Sequence, residues 1–331
     1  MTLCWLFCVL LSSAVSPPPA PAEVAFESGG TTLAASLFLP AGEGPFPGVV
    51  LIHGSGDSDR TNLWAAAFAE GLSRRGVAVL FPDKRGCGKS GGDWKTASFE
   101  ILADDAAAAV RRFGAEKAVD AGAIGVLGVS QGGHVAPLAA AREARVSFVV
   151  SVSSSTVPIS EQAADELDKA AERAGFAPNE KAELAELNRR VLAWVRTSAG
   201  WDDYRQALEA ARRGSWAGKG IAEGYPDTPD HWVWEWARAV GEFDPLPSWR
   251  DLRVPGLLVY GARDTQIRVA KSVARLEPIL TGSVSRSIDV VIYGDAGHPL
   301  YEPDRPELRR AMLDHLAAWI GDRTVRGRSA R

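Results

Sequence analysis

Between residues 124 and 142 a short apolar run, Ile124-Gly125-Val126-Leu127-Gly128-Val129, passes through Ser130 into the Ala-rich stretch QGGHVAPLAAA. No other stretch limits the possible folds so sharply. The apolar run suits a strand covered on both faces, and the stretch after it suits a helix. Gly128-Val129-Ser130-Gln131-Gly132 is therefore a G-x-S-x-G turn set between a strand and a helix. Such a turn strains the serine backbone, leaves no room for a Cβ at the flanking glycines, and pushes the hydroxyl out at the carboxyl edge of a sheet. Ser130 is thus a candidate nucleophile; the alternative is a plain glycine-rich connection.

The rest of the chain supplies a sheet for that turn. Residues 24–28 and 33–40 read as strands joined at Gly29-Gly30, a hairpin signal. Residues 46–53, 77–81, 146–152, 256–260 and 288–293 are further short apolar runs, and helical patterns cover 62–75 and 98–113. Strands alternating with helices predict an α/β fold, a mostly parallel central sheet flanked by helices. From about 160 to 241 no strand is legible. We expect a core of residues 23–157 and 242–322, with residues 158–241 a helical insertion over the sheet edge. That insertion carries six of the 11 tryptophans, Trp194, Trp201, Trp216, Trp232, Trp234 and Trp236. They either line an apolar pocket or fasten the insertion to the core.

A hydrophobic content of 46% with 24% charged residues allows a substantial core. A net charge of −4 gives no electrostatic reason to expect nucleic acid or an anionic membrane as partner. Residues 1–22 differ from the rest: an apolar run from 5 to 15 leads into SPPPAPAE. This resembles a secretory signal peptide, with Ala20-Pro21-Ala22 or Ala14-Val15-Ser16 as the cleavage site. No Lys or Arg precedes the run, which leaves an uncleaved anchor or a mis-assigned start as alternatives. The expectation is an exported chain, periplasmic or secreted, whose mature form has no membrane span. Cys4 and Cys8 fall in this leader, so the mature chain keeps only Cys87 and no internal disulfide.

A serine hydroxyl needs a base, and the base needs a group to orient it. Only five histidines are present. His298, in GDAGHP directly after the 288–293 run, can reach across the sheet edge and is the candidate base. His134 lies one helical turn beyond Ser130 and reads as a packing or hydrogen-bonding residue. His231 and His315 read as structural, and His53 as a brace for its loop. Asp264, after the 256–260 run, is the candidate acid; Asp295 and Asp83 are its rivals. The oxyanion hole needs two backbone N–H donors. Gln131 supplies one, and the other falls to Ser55 in His53-Gly54-Ser55-Gly56, with Gly56 as second choice. DKRGCGKS looks like a phosphate-binding loop, but Asp83 stands where that motif requires glycine.

LIHGSGDSDR, FPDKRGCGKSGG, LGVSQGG, FDPLPSWRDLRVPGLLVYGARD and GDAGHPLY together resemble the serine α/β-hydrolases, in particular bacterial esterases related to serine aminopeptidases and dienelactone hydrolases. The chain order Ser130, Asp264, His298 is the order expected of that fold. The resemblance implies hydrolysis of a small-molecule ester, thioester or amide through an acyl-serine, with the insertion as a lid; no metal cluster or redox motif is legible, so no cofactor is expected. A carboxylesterase for small or medium acyl esters is the expectation. A peptidase would need a lid carboxylate for a substrate ammonium, such as Glu223, Asp227, Asp230 or Glu235. A non-catalytic binding protein on this scaffold is the reading from another class.

Overall fold

The computed structural model describes residues 18–214, 216–282, 288–300 and 306–329, with side chains described as far as Thr324. Most of the expected leader lies outside the described residues. The elements in chain order are β1 (Ala22–Ser28), β2 (Thr31–Phe38), β3 (Phe46–Ile52), α1 (Leu63–Ser73), β4 (Ala78–Pro82), α2 (Phe99–Phe113), β5 (Val119–Val129), α3 (Gln131–Arg142) and β6 (Val146–Val152). Four helices follow, α4 (Ile159–Arg173), α5 (Pro178–Thr197), α6 (Trp201–Arg213) and α7 (Trp232–Val240). The chain then returns through α8 (Leu246–Arg250), β7 (Gly256–Gly261), α9 (Val269–Leu280), β8 (Ile288–Tyr293) and α10 (Pro306–Ser329).

The eight strands form one sheet in the order β1-β2-β4-β3-β5-β6-β7-β8. β1 and β2 run antiparallel to each other and β2 to β4, while every other pair is parallel. Alternate residues divide the sheet between two cores, as period-two side-chain geometry requires. Val49, Leu51, Leu127, Val129 and Val150 pack toward α1 and α10, whereas Val50, Ile124 and Val126 pack toward α2 and α3. Fully burying one such valine or leucine contributes roughly 1.5–3 kcal/mol. β5 begins five residues earlier than its apolar run, because Val119 pairs with Phe46 ahead of a register shift.

This topology fixes where a site can form. β3 and β5 are neighbours, yet β3 leads into α1 on one face and β5 into α3 on the other. The chain diverges at their carboxyl ends and leaves a crevice there, the usual position for a ligand in an open α/β sheet.

The α4–α7 insertion has its own core. Leu184, Leu187, Trp194, Tyr204, Leu208, Trp216 and Trp234 are buried against one another, with Trp201 partly buried beside them. Four of the six insertion tryptophans therefore stabilise the insertion itself, which differs from both roles expected from the sequence. The other two reach the core: the exposed Trp232 meets Trp94 edge-on at 4.9 Å, and Trp236 packs against the main core. The insertion docks on the strand β7 side through charge. Arg268 and Lys271 pair with Asp165 of α4, and Lys169 donates to the Asp264 and Ile267 carbonyls at 2.5 and 2.7 Å. Among the described residues no helix is long and apolar enough to cross a membrane.

Candidate active site

Ser130 sits where β5 turns into α3, with φ 51° and ψ −120°. An L-residue held there stores about 1–3 kcal/mol of strain, so its surroundings must impose the conformation. They do so by close contact. A Cβ on Gly128 would lie 2.0 Å from the Gly132 carbonyl oxygen, and one on Gly132 would lie 2.3 Å from that of Ile52. The Ser130 N–H donates to the Val152 carbonyl at 2.8 Å, tying the turn to β6.

Two further strand ends meet it. From the loop after β8, the His298 Nδ1–H donates to Asp264 Oδ2 at 2.8 Å, and the Ser130 hydroxyl donates to Nε2 at 3.2 Å. Because the carboxylate only accepts, Nδ1 carries the hydrogen and Nε2 is left as a base. Asp264 follows β7 and is 5% exposed; its Oδ1 accepts from the Gln266 and Ile267 N–H groups at 2.7 and 2.8 Å. The imidazole packs against the Trp64 ring, centroids 5.3 Å apart. Serine, histidine and aspartate are thus brought into one hydrogen-bonded line.

The rival acids are used elsewhere. Asp295 pairs with Arg263 at 2.7 Å. Asp83 accepts from Arg60 Nε at 2.8 Å and from the Arg60 and Lys89 N–H groups, each at 2.9 Å. Burial works to raise its pKa, and those hydrogen bonds overcome it, leaving the carboxyl below the usual range. Its carboxylate fills the turn that resembles a phosphate-binding loop.

The remaining histidines hold structure. Ser58 donates to His53 Nδ1 at 2.8 Å and His53 Nε2–H donates to the Pro82 carbonyl at 2.7 Å. His134 donates to the Ser155 carbonyl at 3.0 Å. Burial pushes both imidazoles down to about 4. His231 accepts from the Val233 N–H at the start of α7, and His315 accepts from the Tyr293 hydroxyl.

Ser55 and Gln131 flank a cavity of about 120 Å³ that also reaches Ser130. Among the described residues neither the Ser55 nor the Gln131 backbone N–H has a backbone acceptor. Phe99, Ile159 and Trp236 give the cavity apolar walls, and Gln162 and Glu166 of α4 give it a polar edge. Gln162 Nε2 donates to Glu166 Oε1 at 2.9 Å, and burial raises the Glu166 pKa. The carboxylates that the peptidase alternative offered, Glu223, Asp227, Asp230 and Glu235, do not line the cavity, and Glu166 does. Ser153, Lys169 and Trp64 were also missed. Among the described residues no cluster of His, Cys, Asp and Glu has the arrangement to hold a metal ion.

Known proteins share this arrangement of strands. The chain superposes on DcsB, solved with a substrate analogue, with a TM-score of 0.62 and 18% identity, covering 92% of this chain and 99% of that one. An esterase of Pyrococcus furiosus gives a TM-score of 0.60 at 17% identity, covering 93% and 91%. Esterase EstD of Thermotoga maritima is 26% identical over 304 residues, 87% of this chain but 65% of the relative's length. Residues 49–311 match the Alpha/beta hydrolase family. With the match running from β3 into α10 and taking in every strand end of the site, the chain belongs to the alpha/beta hydrolase family.

Proposed function

We propose that this hydrolase is a serine carboxylesterase for small acyl esters. The observation that carries the reading is the line from Asp264 Oδ2 through His298 to Ser130 Oγ, at 2.8 and 3.2 Å. Ser130 attacks the ester carbonyl as its proton passes to His298 Nε2, and Asp264 stabilises the imidazolium. The carbonyl oxygen takes the negative charge and accepts from the Ser55 and Gln131 N–H groups. His298 then protonates the leaving alcohol, and the carbonyl re-forms as an acyl-serine. Water repeats the sequence, releasing the carboxylic acid and restoring the Ser130 hydroxyl.

The narrow cavity supports a short acyl group. The insertion acts as a lid, since α4 supplies one wall of that cavity and holds the Asp264 loop through Lys169. Glu166 in the cavity favours one second reading, a substrate whose acyl part carries an ammonium, as in an aminoacyl ester or amide. A panel of p-nitrophenyl acetate, butyrate and octanoate, an acyl thioester and an aminoacyl anilide tests both. The esterase reading expects highest kcat/KM on the short esters and none in Ser130→Ala. Turnover confined to the anilide would replace it with the second reading.

A further inference from the structure

Lys84 follows β4 in the loop that resembles a phosphate-binding turn. Only 7% of it is exposed. Its ammonium donates to the Gly54 carbonyl, to the Gly56 carbonyl at 2.9 Å and to Gln131 Oε1 at 3.2 Å, and it lies 5.7 Å from the Trp94 ring centre. All three protons therefore go to neutral oxygens. The titratable groups near enough to act on it are the neutral Cys87 thiol and the exposed Asp57, and it in turn acts on His53. Among the described residues none of these forms an ion pair with it. A buried cation without a counter-ion is expensive to keep, and an apolar side chain would hold a loop at lower cost. A charge retained under those conditions calls for a use.

Its partners indicate the use. The Gly54 carbonyl belongs to the same peptide unit as the Ser55 N–H. In a trans peptide the two point in opposite directions, so fixing the oxygen aims the hydrogen. That unit runs beside the nucleophile: a Cβ on Gly54 would stand 3.4 Å from Ser130 Cβ. The second arm is held by the same cation, because Gln131, whose side chain it grips, carries the other N–H donor. A positive charge on the carbonyl side also polarises the amide and strengthens the N–H as a donor.

We propose that Lys84 is the positioning residue of the oxyanion hole, its one ammonium setting the direction of the Ser55 donor and tethering the Gln131 donor beside it. This rests on the serine esterase reading above. It also predicts a pH limit: burial holds the ammonium down at about 8, so the hole loses its cation as the pH rises past that value. The neighbouring His53 stays neutral throughout that range, and the Cys87 thiol, pushed up by burial to about 11, also stays neutral.

Lys84→Met and Lys84→Arg, made in the full chain, are assayed on p-nitrophenyl acetate from pH 6 to 10 beside Ser130→Ala. Lys84→Met is expected to lose roughly 10²–10³-fold in kcat with KM within about threefold, the size of losing one oxyanion donor. Lys84→Arg, whose charge persists above pH 12, is expected to keep part of the activity and to lose the alkaline fall near pH 8. A structural role alone would leave that fall in place. If Ser130→Ala is inactive while Lys84→Met keeps wild-type kcat, or Lys84→Arg keeps the alkaline fall, the Lys84 proposal is overturned and the esterase reading stands. If Ser130→Ala is itself active, the reading beneath it falls.

Discussion

The Ser153 hydroxyl donates a 2.7 Å hydrogen bond to the His298 carbonyl, joining residues 145 positions apart. Ser153 directly follows β6 with φ 52° and, like Ser130, is a non-glycine residue in the left-handed region. Its N–H donates to the Val259 carbonyl at 2.8 Å, so the strained residue links β6, β7 and the histidine loop. His298 is thereby held from its backbone as well as from its ring. Ser153→Ala leaves a buried carbonyl without its donor, a loss of about 1–3 kcal/mol. We expect that loss to show as lower kcat with KM nearly unchanged, checked by steady-state kinetics beside a thermal melt.

Asp264→Asn separates charge from shape. Asparagine can still accept from the Gln266 and Ile267 N–H groups, but its amide then faces His298 Nδ1 with a donor in place of an acceptor. The imidazole is driven to the tautomer with hydrogen on Nε2 and cannot take the Ser130 proton. A fall in kcat on the order of 10⁴ is expected at neutral pH, with the melting temperature close to wild type. Retention of a tenth of the activity would contradict the assigned orientation.

Gly132→Ala tests the turn itself. Its Cβ would stand 2.3 Å from the Ile52 carbonyl oxygen and 2.7 Å from that of His53, and backbone cannot move aside as a side-chain tip can. Destabilisation above about 4 kcal/mol is expected from urea unfolding, in the range reserved for steric failure in a core. Ala substitution at the open, exposed Gly224 gives the comparison.

His53 and His134 should set part of the acid sensitivity. Each is held at about 4 against an ordinary 6.5. As pH falls below 6.5 the unfolded chain gains protons that the folded chain refuses until about 4. The stability from keeping these rings neutral is therefore complete above 6.5 and is lost on the way down to 4. Each ring contributes a slope of about 1.4 kcal/mol per pH unit in that window. Unfolding His134→Gln in urea at several values between pH 7 and 4.5 should show a slope shallower than wild type by about that amount.

How much of this was legible in the sequence depends on how far each residue's role is local. Ser130 announced itself through its own neighbours, a strand before and a helix after. Asp264 and His298 were legible because each closes an apolar run, and a parallel sheet brings all such ends to one edge. Ser153, Lys169, Trp64 and Glu166 act only through contacts made after folding. Glu166 in particular sits on an amphipathic helix whose site-facing side no spacing rule could identify. The tryptophans divide for the same reason: Trp236 lines the cavity and Trp232 meets the core, as expected, but four of the six pack within the insertion, and spacing could not tell which. Lys84 was visible as part of the segment FPDKRGCGKSGG, and its reach to Gly54, Gly56 and Gln131 was not.

The proposed esterase chemistry requires that the Ser130 hydroxyl be activated by His298 and Asp264. Treating the full chain with an alkyl fluorophosphonate and locating the adduct by tandem mass spectrometry tests it most directly. A single adduct on Ser130 is expected, absent in Ser130→Ala and formed far more slowly in His298→Ala. An unlabelled protein, or an adduct on another residue, would contradict it and leave a hydrolase fold used for binding.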